Sequence, residues 1–459
     1  MRRLRRIASA VAVVATAALA LSACSSSSSS SSSGSSSSSS NSGSGGGGSL
    51  DVFVGAQPNY PTQFAQWSKD VTAKFKAATG ADLTIETYAS GSEETTKIQA
   101  SIVSGTGPDV YQLGTTFTPV AYATKGFVTL TDADWNKIGG RARYNPQTLA
   151  MSGPNSTTQI GIPLASRPYA MVYNTEMFKA AGITSPPTTW DGLVEDAKKL
   201  TKGGVYGLAM DYADGYDPWK YIWSLSEQAG APFVSADLKT ALLNSPQVLK
   251  ATTQYFDFLT KYKLADTASA GWKNADAIAA FGQGKAAILP LSGPGNIPSL
   301  DSSPMKGKYA FAPLPSVPLG MTARPAGAPA AQSIVSGDNL AIASYSKNKD
   351  LALAYVNIVT STDMQVEQYN DFGNLPTNVG AFAQLAAKNP MLAPFAVAQK
   401  GSTPTAFTGA WSDFQNGVTN TVVQSLPSLA KGSYSVSAVQ VLLATANTAA
   451  QSSLDRASK

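Results

Sequence analysis

The chain contains no histidine and a single cysteine, Cys24, among its 459 residues. Without histidine there is no Ser-His-Asp triad, no Cys-His nucleophile pair and no imidazole ligand for zinc. With one cysteine, no disulfide can form within the chain, so the fold must rely on packing. These absences exclude several hydrolase and metalloenzyme mechanisms before any motif is considered.

Charge is also sparse, because charged residues make up only 14% of the chain, with 34 Lys and Arg against 29 Asp and Glu. Four arginines lie within Met1 to Arg6, ahead of an uncharged apolar run from Ile7 to Leu21. This run has the length of a signal-peptide core and is too short to span a membrane. We therefore predict that residues 1–23 are a signal peptide. Its removal subtracts four arginines from the net charge of +5 and leaves about +1, so the high isoelectric point does not indicate nucleic-acid binding.

Cys24 follows Leu21-Ser22-Ala23 at the end of the apolar run, an arrangement that resembles a bacterial lipobox, where the thiol is acylated. The alternative is a plain secretory signal with an unrelated cysteine. Residues 25–49 contain only serine, glycine and one asparagine, which bury no apolar surface. Residues 24–49 are thus predicted to be a lipidated cysteine and a flexible linker with a root-mean-square reach of about 25 to 30 Å. One acyl chain anchors only weakly, so more than one, including palmitate, is expected at the extracellular face of the cell membrane.

From Leu50 onward about 410 residues remain, which is too long for one hydrophobic core and suits two lobes. Short apolar runs alternate with amphipathic helical patterns, and this alternation predicts an α/β fold. The predicted strands are Asp51–Gly55, Asp82–Tyr88, Asp109–Leu113, Ile160–Leu164, Ala170–Tyr173, Val205–Met210, Ala286–Leu291 and Asn339–Ala343.

The stretch from Gly161 to Phe178 carries two apolar runs on either side of Ser166-Arg167-Pro168. Proline keeps the residue before it extended, so we interpret this stretch as a crossing from one lobe to the other. Further on, Thr188 with Asp191 three residues later predicts a capping box for a helix whose apolar face includes Trp190, expected to be in the core.

Several segments together resemble the extracellular solute-binding proteins of ABC importers, of the maltose and multiple-sugar type. In chain order after residue 50 they are SGTGPDVYQL, the crossing with PPTTWDGL, AFGQGKAAILPLSGPG, GDNLAIASYSKNKDLALAYVNIVTS and GNLPT. The resemblance implies a two-lobe periplasmic-binding-protein-like fold with a hinge and an interlobe ligand cleft. It implies a first lobe of residues 50–164 plus 294–346 and a second of residues 165–293 plus 347–459. It also implies a monomer without cofactor that binds a small-molecule solute and an ABC permease.

Ligands of open α/β sheets lie beyond the carboxyl ends of the strands, where aromatic rings and polar groups suit a sugar. The resemblance implies that the aromatic of Asp217-Pro218-Trp219 and a C-terminal tryptophan, Trp411, stack on sugar. Two departures from the family pattern are Gly295, where a tryptophan is usual, and Arg167, where a glutamate is usual. Guanidinium only donates hydrogen bonds, so Arg167 favours an acidic or modified solute, unless it pairs with Asp109 or Asp338. The expected ligand-binding residues are Tyr60, Ser92, Thr115, Phe117, Arg167, Asp214, Trp219, Trp272, Asn296, Asp338 and Trp411.

We therefore predict that the chain is not an enzyme and that it captures a carbohydrate, an oligosaccharide or a sugar derivative, for an ABC permease. The pairs Glu93-Glu94 and Asp132/Asp134 could serve a glycosidase, but they fit helix N-termini better. Alternatives that the sequence leaves open are a ligand sensor for a membrane kinase, a binder of an acidic or non-sugar solute such as a peptide, and an adhesin.

Overall fold

A computed structural model describes residues 48–58, 60–89 and 91–457. The predicted signal peptide, Cys24 and nearly all of the Ser/Gly linker lie outside this range. The strands are β1 Ser49–Gly55, β2 Asp82–Tyr88, β3 Val110–Gly114, β4 Ile162–Ser166, β5 Ala170–Asn174, β6 Tyr206–Leu208, β7 Ala286–Ser292, β8 Tyr309–Ala312, β9 Ser333–Ile334, β10 Gly337–Ile342, β11 Leu375–Pro376 and β12 Ser402–Thr403.

Helices alternate with these strands, as the sequence predicts for an α/β fold. They are α1 Pro61–Thr79, α2 Gly91–Ser104, α3 Thr118–Ala123, α4 Asp132–Lys137, α5 Pro146–Leu149, α6 Thr175–Ala180, α7 Trp190–Leu200, α8 Asp217–Gln228, α9 Pro246–Thr260, α10 Asn274–Gly282, α11 Ile297–Asp301, α12 Lys349–Val359, α13 Thr362–Phe372, α14 Val379–Lys388, α15 Ala393–Lys400, α16 Trp411–Leu429 and α17 Val436–Ala457. Among the described residues, no helix is both long and apolar enough to cross a membrane.

The first lobe is built on a six-stranded sheet in the order β11-β4-β10-β3-β1-β2. Strands β1, β2 and β3 run parallel, while β10 is antiparallel to both β3 and β4. Every residue of β10 is buried, which is typical of a central strand covered on both faces. Helices α1, α12 and α13 pack against this sheet and share its apolar core.

The second lobe is built on a four-stranded sheet in the order β6-β7-β5-β8. Its core takes in α7, α8, α9 and the C-terminal pair α16 and α17. Helix α8 is buried around nearly its whole circumference, because α9 and α16 both pack against it. The chain enters this lobe directly from β4 to β5, so the predicted crossing at Ser166-Arg167-Pro168 lies between the two sheets.

The sheets correct the predicted lobe boundaries at two segments. Strand β8, predicted in the first lobe with residues 294–346, pairs with β5 in the sheet of the second lobe. The segment from α12 to β11, predicted in the second lobe with residues 347–459, belongs to the first, where α12 packs on α1, α13 shares the core and β11 pairs with β4. Both errors concern long-range pairing, which local sequence patterns do not specify.

Local details near the crossing are close to those predicted. Helix α7 is capped by Thr189, whose side chain accepts a hydrogen bond from the backbone N–H of Gly192, so Thr188 is not the cap. Asp191 does not close a capping box and instead accepts a hydrogen bond from the backbone N–H of Gly320. Trp190 is fully buried, as predicted, and its Nε1–H donates to Gln228.

Candidate functional site

The crossing places Arg167 against the first lobe. The guanidinium forms a bidentate ion pair with Asp338 on β10, with N···O distances of 2.8 and 2.6 Å. The backbone N–H of Arg167 also donates to the carbonyl of Ser336. The alternative partner, Asp109, instead accepts hydrogen bonds from Ser346 and from the backbone of β1. The cation of Arg167 is therefore already neutralised within the protein.

A buried carboxyl group, that of Glu94, lies near this ion pair. Glu94 is in the first turn of α2, is only 7% exposed and accepts a hydrogen bond from the backbone of Gly114 at the end of β3. Its Oε1 has no hydrogen-bond partner within the described residues. Burial, with the negative charge of Asp338, raises the pKa of Glu94 to about 8. The neighbouring Tyr88 is partly buried, and its burial, with the negative charges of Glu94 and Asp338, raises the pKa of its hydroxyl. Glu94 is therefore mostly protonated at pH 7 and ionises at higher pH.

Two residues beyond Arg167, Tyr169 connects the crossing to the second lobe. Its hydroxyl lies 2.8 Å from Lys220 Nζ, which is also 2.5 Å from Asp217 Oδ1. Lys220 and Asp217 are one turn apart in α8, and both are buried. Burial would raise the pKa of Asp217, but Lys220 and the hydrogen bonds to its carboxylate outweigh that effect and lower it. The structure thus contains a second neutralised ion pair on the other side of Pro168.

Asp211, in the loop that leads to α8, belongs to the same polar network. Asn274 Nδ2 bridges the two acids, at 2.8 Å from Asp217 Oδ2 and 3.3 Å from Asp211 Oδ2. Burial, with the negative charge of Asp217, raises the pKa of Asp211 well above its usual value. The predicted site residue Asp214 orders the same loop, accepting from the backbone N–H groups of Tyr216, Asp217 and Asn274.

Aromatic rings lie beside the second ion pair. Tyr216 is 61% exposed, and Lys220 Nζ lies 5.9 Å from its ring centroid and 4.4 Å from that of Tyr169. Trp272 is half-buried, and its carbonyl accepts a hydrogen bond from the backbone of Ala213 in the same loop. Trp272, one of the aromatic residues predicted to contact the ligand, thus lies beside Asp214 and Asp217.

Trp219 and Trp411 lie elsewhere. They are 2% and 1% exposed in the core of the second lobe, where their rings meet edge to face at 5.9 Å. Phe233 and Phe414 stack on Trp411. Stacking on a sugar requires an accessible ring face, so the burial of these two tryptophans contradicts the role expected for them.

The remaining predicted residues of the first lobe have structural contacts. Tyr60 precedes α1 and packs near Phe372, with 6.3 Å between the ring centroids. Thr115 is buried, and its hydroxyl donates to the carbonyl of Val335. Phe117 begins α3 and packs against the apolar cluster around β3. A solute contact for these three residues stays a prediction.

Two further predicted residues have a defined position but no demonstrated ligand. Asn296 ends the short turn Pro294–Asn296, and its Nδ2 donates to Ser292 at the end of β7. Ser92 belongs to α2, whose first residues follow β2, and its side chain is outside the described set. Within residues 48–58, 60–89 and 91–457, no group of acidic or cysteine side chains is arranged to hold a metal ion.

The sequence reasoning missed four residues of this site, namely Glu94, Tyr169, Tyr216 and Lys220. Tyr216 lies within a loop that the strand positions do select, and Asp217 with Lys220 has the three-residue spacing of a helical ion pair. The loop position and the three-residue spacing could have been used to predict these residues. The burial of Glu94 has no sequence signal, because an acid in a first helical turn is usually solvated.

Comparison with known proteins gives the family. Residues 57–366 match the model of the family described as bacterial extracellular solute-binding protein. A Brucella abortus (strain 2308) protein described as a binding protein is 25% identical over 292 residues, 61% of this chain, so the chain spans 65% of the length of that relative. The diacetylchitobiose binding protein of Streptomyces coelicolor is 25% identical over 307 residues, which are 64% of this chain and 66% of that protein.

A solved structure gives the same fold. The sugar-binding protein MalE from Xanthomonas citri superposes with a TM-score of 0.73 at 18% identity, covering 88% of this chain and 97% of that one. This likeness confirms the predicted two-lobe periplasmic-binding-protein-like fold, in which the crossing joins one lobe to the other. Because the family match extends over residues 57–366, well over half of the chain, the protein belongs to the bacterial extracellular solute-binding protein family.

Proposed function

We propose that this protein captures a neutral carbohydrate between its two lobes and delivers it to an ABC permease. The observation that carries the proposal is the set of polar groups on the two sides of the crossing. It contains two cations, the half-buried Arg167 and the buried Lys220, and each is neutralised by a carboxylate. Arg167 is paired with Asp338, and Lys220 with Asp217. An anionic solute would have to compete with these carboxylates, whereas sugar hydroxyls can hydrogen-bond to the paired groups without disrupting them.

The remaining chemistry of the site supports a sugar. The exposed ring of Tyr216 can stack on the C–H groups of a pyranose ring. The names of the relatives point the same way, since diacetylchitobiose is an uncharged sugar and the Xanthomonas protein is a sugar-binding protein. This reasoning favours a neutral solute over the sugar acid that Arg167 alone suggested.

The direct test is thermal unfolding of the chain against neutral oligosaccharides, sugar acids, sugar phosphates and peptides. A ligand at about 100 times its dissociation constant adds about 2.7 kcal/mol to the free energy of unfolding, which raises the midpoint by several degrees. We expect a shift with neutral sugars. Tyr216→Ala should abolish it, while Tyr216→Phe, which keeps the ring, should retain it. A shift with sugar acids alone would overturn the proposal of a neutral solute.

We further propose that the mature chain is monomeric and lipid-anchored through Cys24, with the Ser/Gly linker as its tether. The support for the anchor is Cys24, which follows the apolar run after Ser22-Ala23 and precedes a segment with no apolar residue. Cys24→Ser should release the protein into the medium and eliminate incorporation of labelled palmitate. If the variant stayed in the membrane fraction, lipid anchoring would be wrong, although solute binding between the lobes would be unaffected.

A further inference from the structure

A cavity, the rear groove, lies apart from the site at the crossing and has a volume of about 810 Å³. The first lobe provides one wall, from α3 and the segments that follow it. The second lobe provides the other wall, from the turn at residues 237–239, the segment before α16 and the end of α17. The apolar side chains of the two walls include Tyr122, Phe127, Ile160, Leu238, Phe407 and Leu454.

Strand register places the rear groove toward the opposite end of the first sheet from Arg167. Asp338, the partner of Arg167, is opposite Gly114 at the carboxyl end of β3. Phe127, in the wall of the groove, instead forms a β-bridge with Ala343. Ala343 directly follows Ile342, which pairs with Val110 at the start of β3. Five residues of strand span about 16 Å, so the groove is separate from the proposed solute site.

The rim of the groove is cationic. Lys125, Lys239 and Arg456 line it together with a single acid, Asp237. The carboxylate of Asp237 already accepts hydrogen bonds from Ser235 Oγ at 2.6 Å and from the backbone N–H of Lys239 at 3.2 Å. An apolar interior with a surplus of positive charge at its edge is complementary to a molecule that is apolar at one end and anionic at the other.

We propose that the rear groove binds an amphipathic organic anion, a medium-length alkyl chain that ends in a carboxylate. The chain packs against the aromatic rings of Tyr122 and Phe407, and the carboxylate lies among the cations of the rim. The volume is within the range of about 300 to 1,000 Å³ typical of small-molecule sites. Rings from the two lobes meet across the groove, with 5.7 Å between the centroids of Tyr122 and Phe407. A bound molecule therefore contacts both lobes and influences their separation.

The test is calorimetric titration of the full chain with decanoate, and with decan-1-ol as the uncharged analogue of the same length. We expect one decanoate per chain and binding of the alcohol at least ten times weaker. Replacing both rim lysines, Lys125→Glu with Lys239→Glu, should weaken decanoate binding at least tenfold. Lys250→Glu, an exposed lysine on α9, is the matched control and should change nothing.

Two more variants separate this proposal from the proposed function. Phe407→Ala should weaken decanoate and decan-1-ol alike, because it removes apolar contact. Tyr216→Ala, which should abolish sugar binding, should leave decanoate binding unchanged. Equal affinity for acid and alcohol, full binding in the double lysine variant, or no decanoate binding would each overturn the proposal. None of these outcomes would bear on sugar capture at the crossing.

Discussion

Replacing Glu94 by glutamine should make the protein more stable at neutral pH, and the gain should depend on pH. The carboxyl group is 7% exposed, its Oε1 lacks a partner within the described residues, and its pKa is raised from 4.5 to about 8. Burial is the main cause, and the charge of Asp338 adds to it. Glutamine has nearly the same shape as the protonated acid, but it never ionises.

The sign and size of the effect follow from proton linkage. The folded pKa is above the unfolded one, so the native state holds more protons between pH 4.5 and about 8. The contribution of Glu94 to stability is therefore complete below the unfolded pKa, and it is lost as the pH rises through this window. Each pH unit within this window lowers the free energy of unfolding by about 1.4 kcal/mol. At pH 7 the wild type has therefore lost about 3 kcal/mol of stability, which Glu94→Gln retains.

Urea unfolding of both proteins at pH 5, 6, 7 and 8 measures this difference. The stability advantage of Glu94→Gln should be small at pH 5 and should grow with each step toward pH 8. Glu195→Gln, at an exposed position on α7, is the control and should give a pH-independent difference from the wild type. If the advantage of Glu94→Gln were also independent of pH, Glu94 would not be a buried neutral acid.

Three further predictions concern packing and charge, each measured by urea unfolding. Trp411→Ala should cost about 3 to 5 kcal/mol, because it opens a cavity in the core of the second lobe; a loss below 1 kcal/mol would refute that placement. Arg167→Met should cost about 1 to 3 kcal/mol by leaving the carboxylate of Asp338 unpaired, and adding Asp338→Asn should restore most of it. Lys220→Met should cost about 3 to 5 kcal/mol at pH 7, and less at pH 5, where an unpaired Asp217 takes up a proton.

Local sequence patterns predicted most of the strands and the crossing, because these depend on apolar runs and on proline. The predicted strand at Asp82–Tyr88 has the bounds of β2, and the strands at Ile160–Leu164 and Ala170–Tyr173 are β4 and β5 within two residues. The sheet that β8 joins was predicted wrongly, since the pairing of β8 with β5 involves residues about 140 positions apart. No periodicity within β8 indicates its partner.

The site shows a similar division between local and long-range information. The loop that leads to α8 follows a predicted strand, and its contact with solute stays a prediction, but the burial of Trp219 contradicts the stacking role expected for that ring. Trp219 is buried because α9 and α16 cover α8 on both sides, whereas Tyr216, three residues earlier, is outside the helix and exposed. Exposure of a ring at a helix start depends on neighbours that are distant in sequence, so the position of the aromatic alone could not decide its role.

The two ion pairs also limit how solute binding can drive closure of the lobes. Arg167 is paired within the first lobe and Tyr169 contacts Lys220 of the second, so each pair belongs to a single lobe on its own side of Pro168. A rotation confined to the crossing would leave both pairs intact, and they would then contribute equally to the two arrangements of the lobes. A ligand shifts a conformational equilibrium only by its differential affinity for the two forms. We therefore propose that the energy of closure comes from solute contacts that reach both lobes at once.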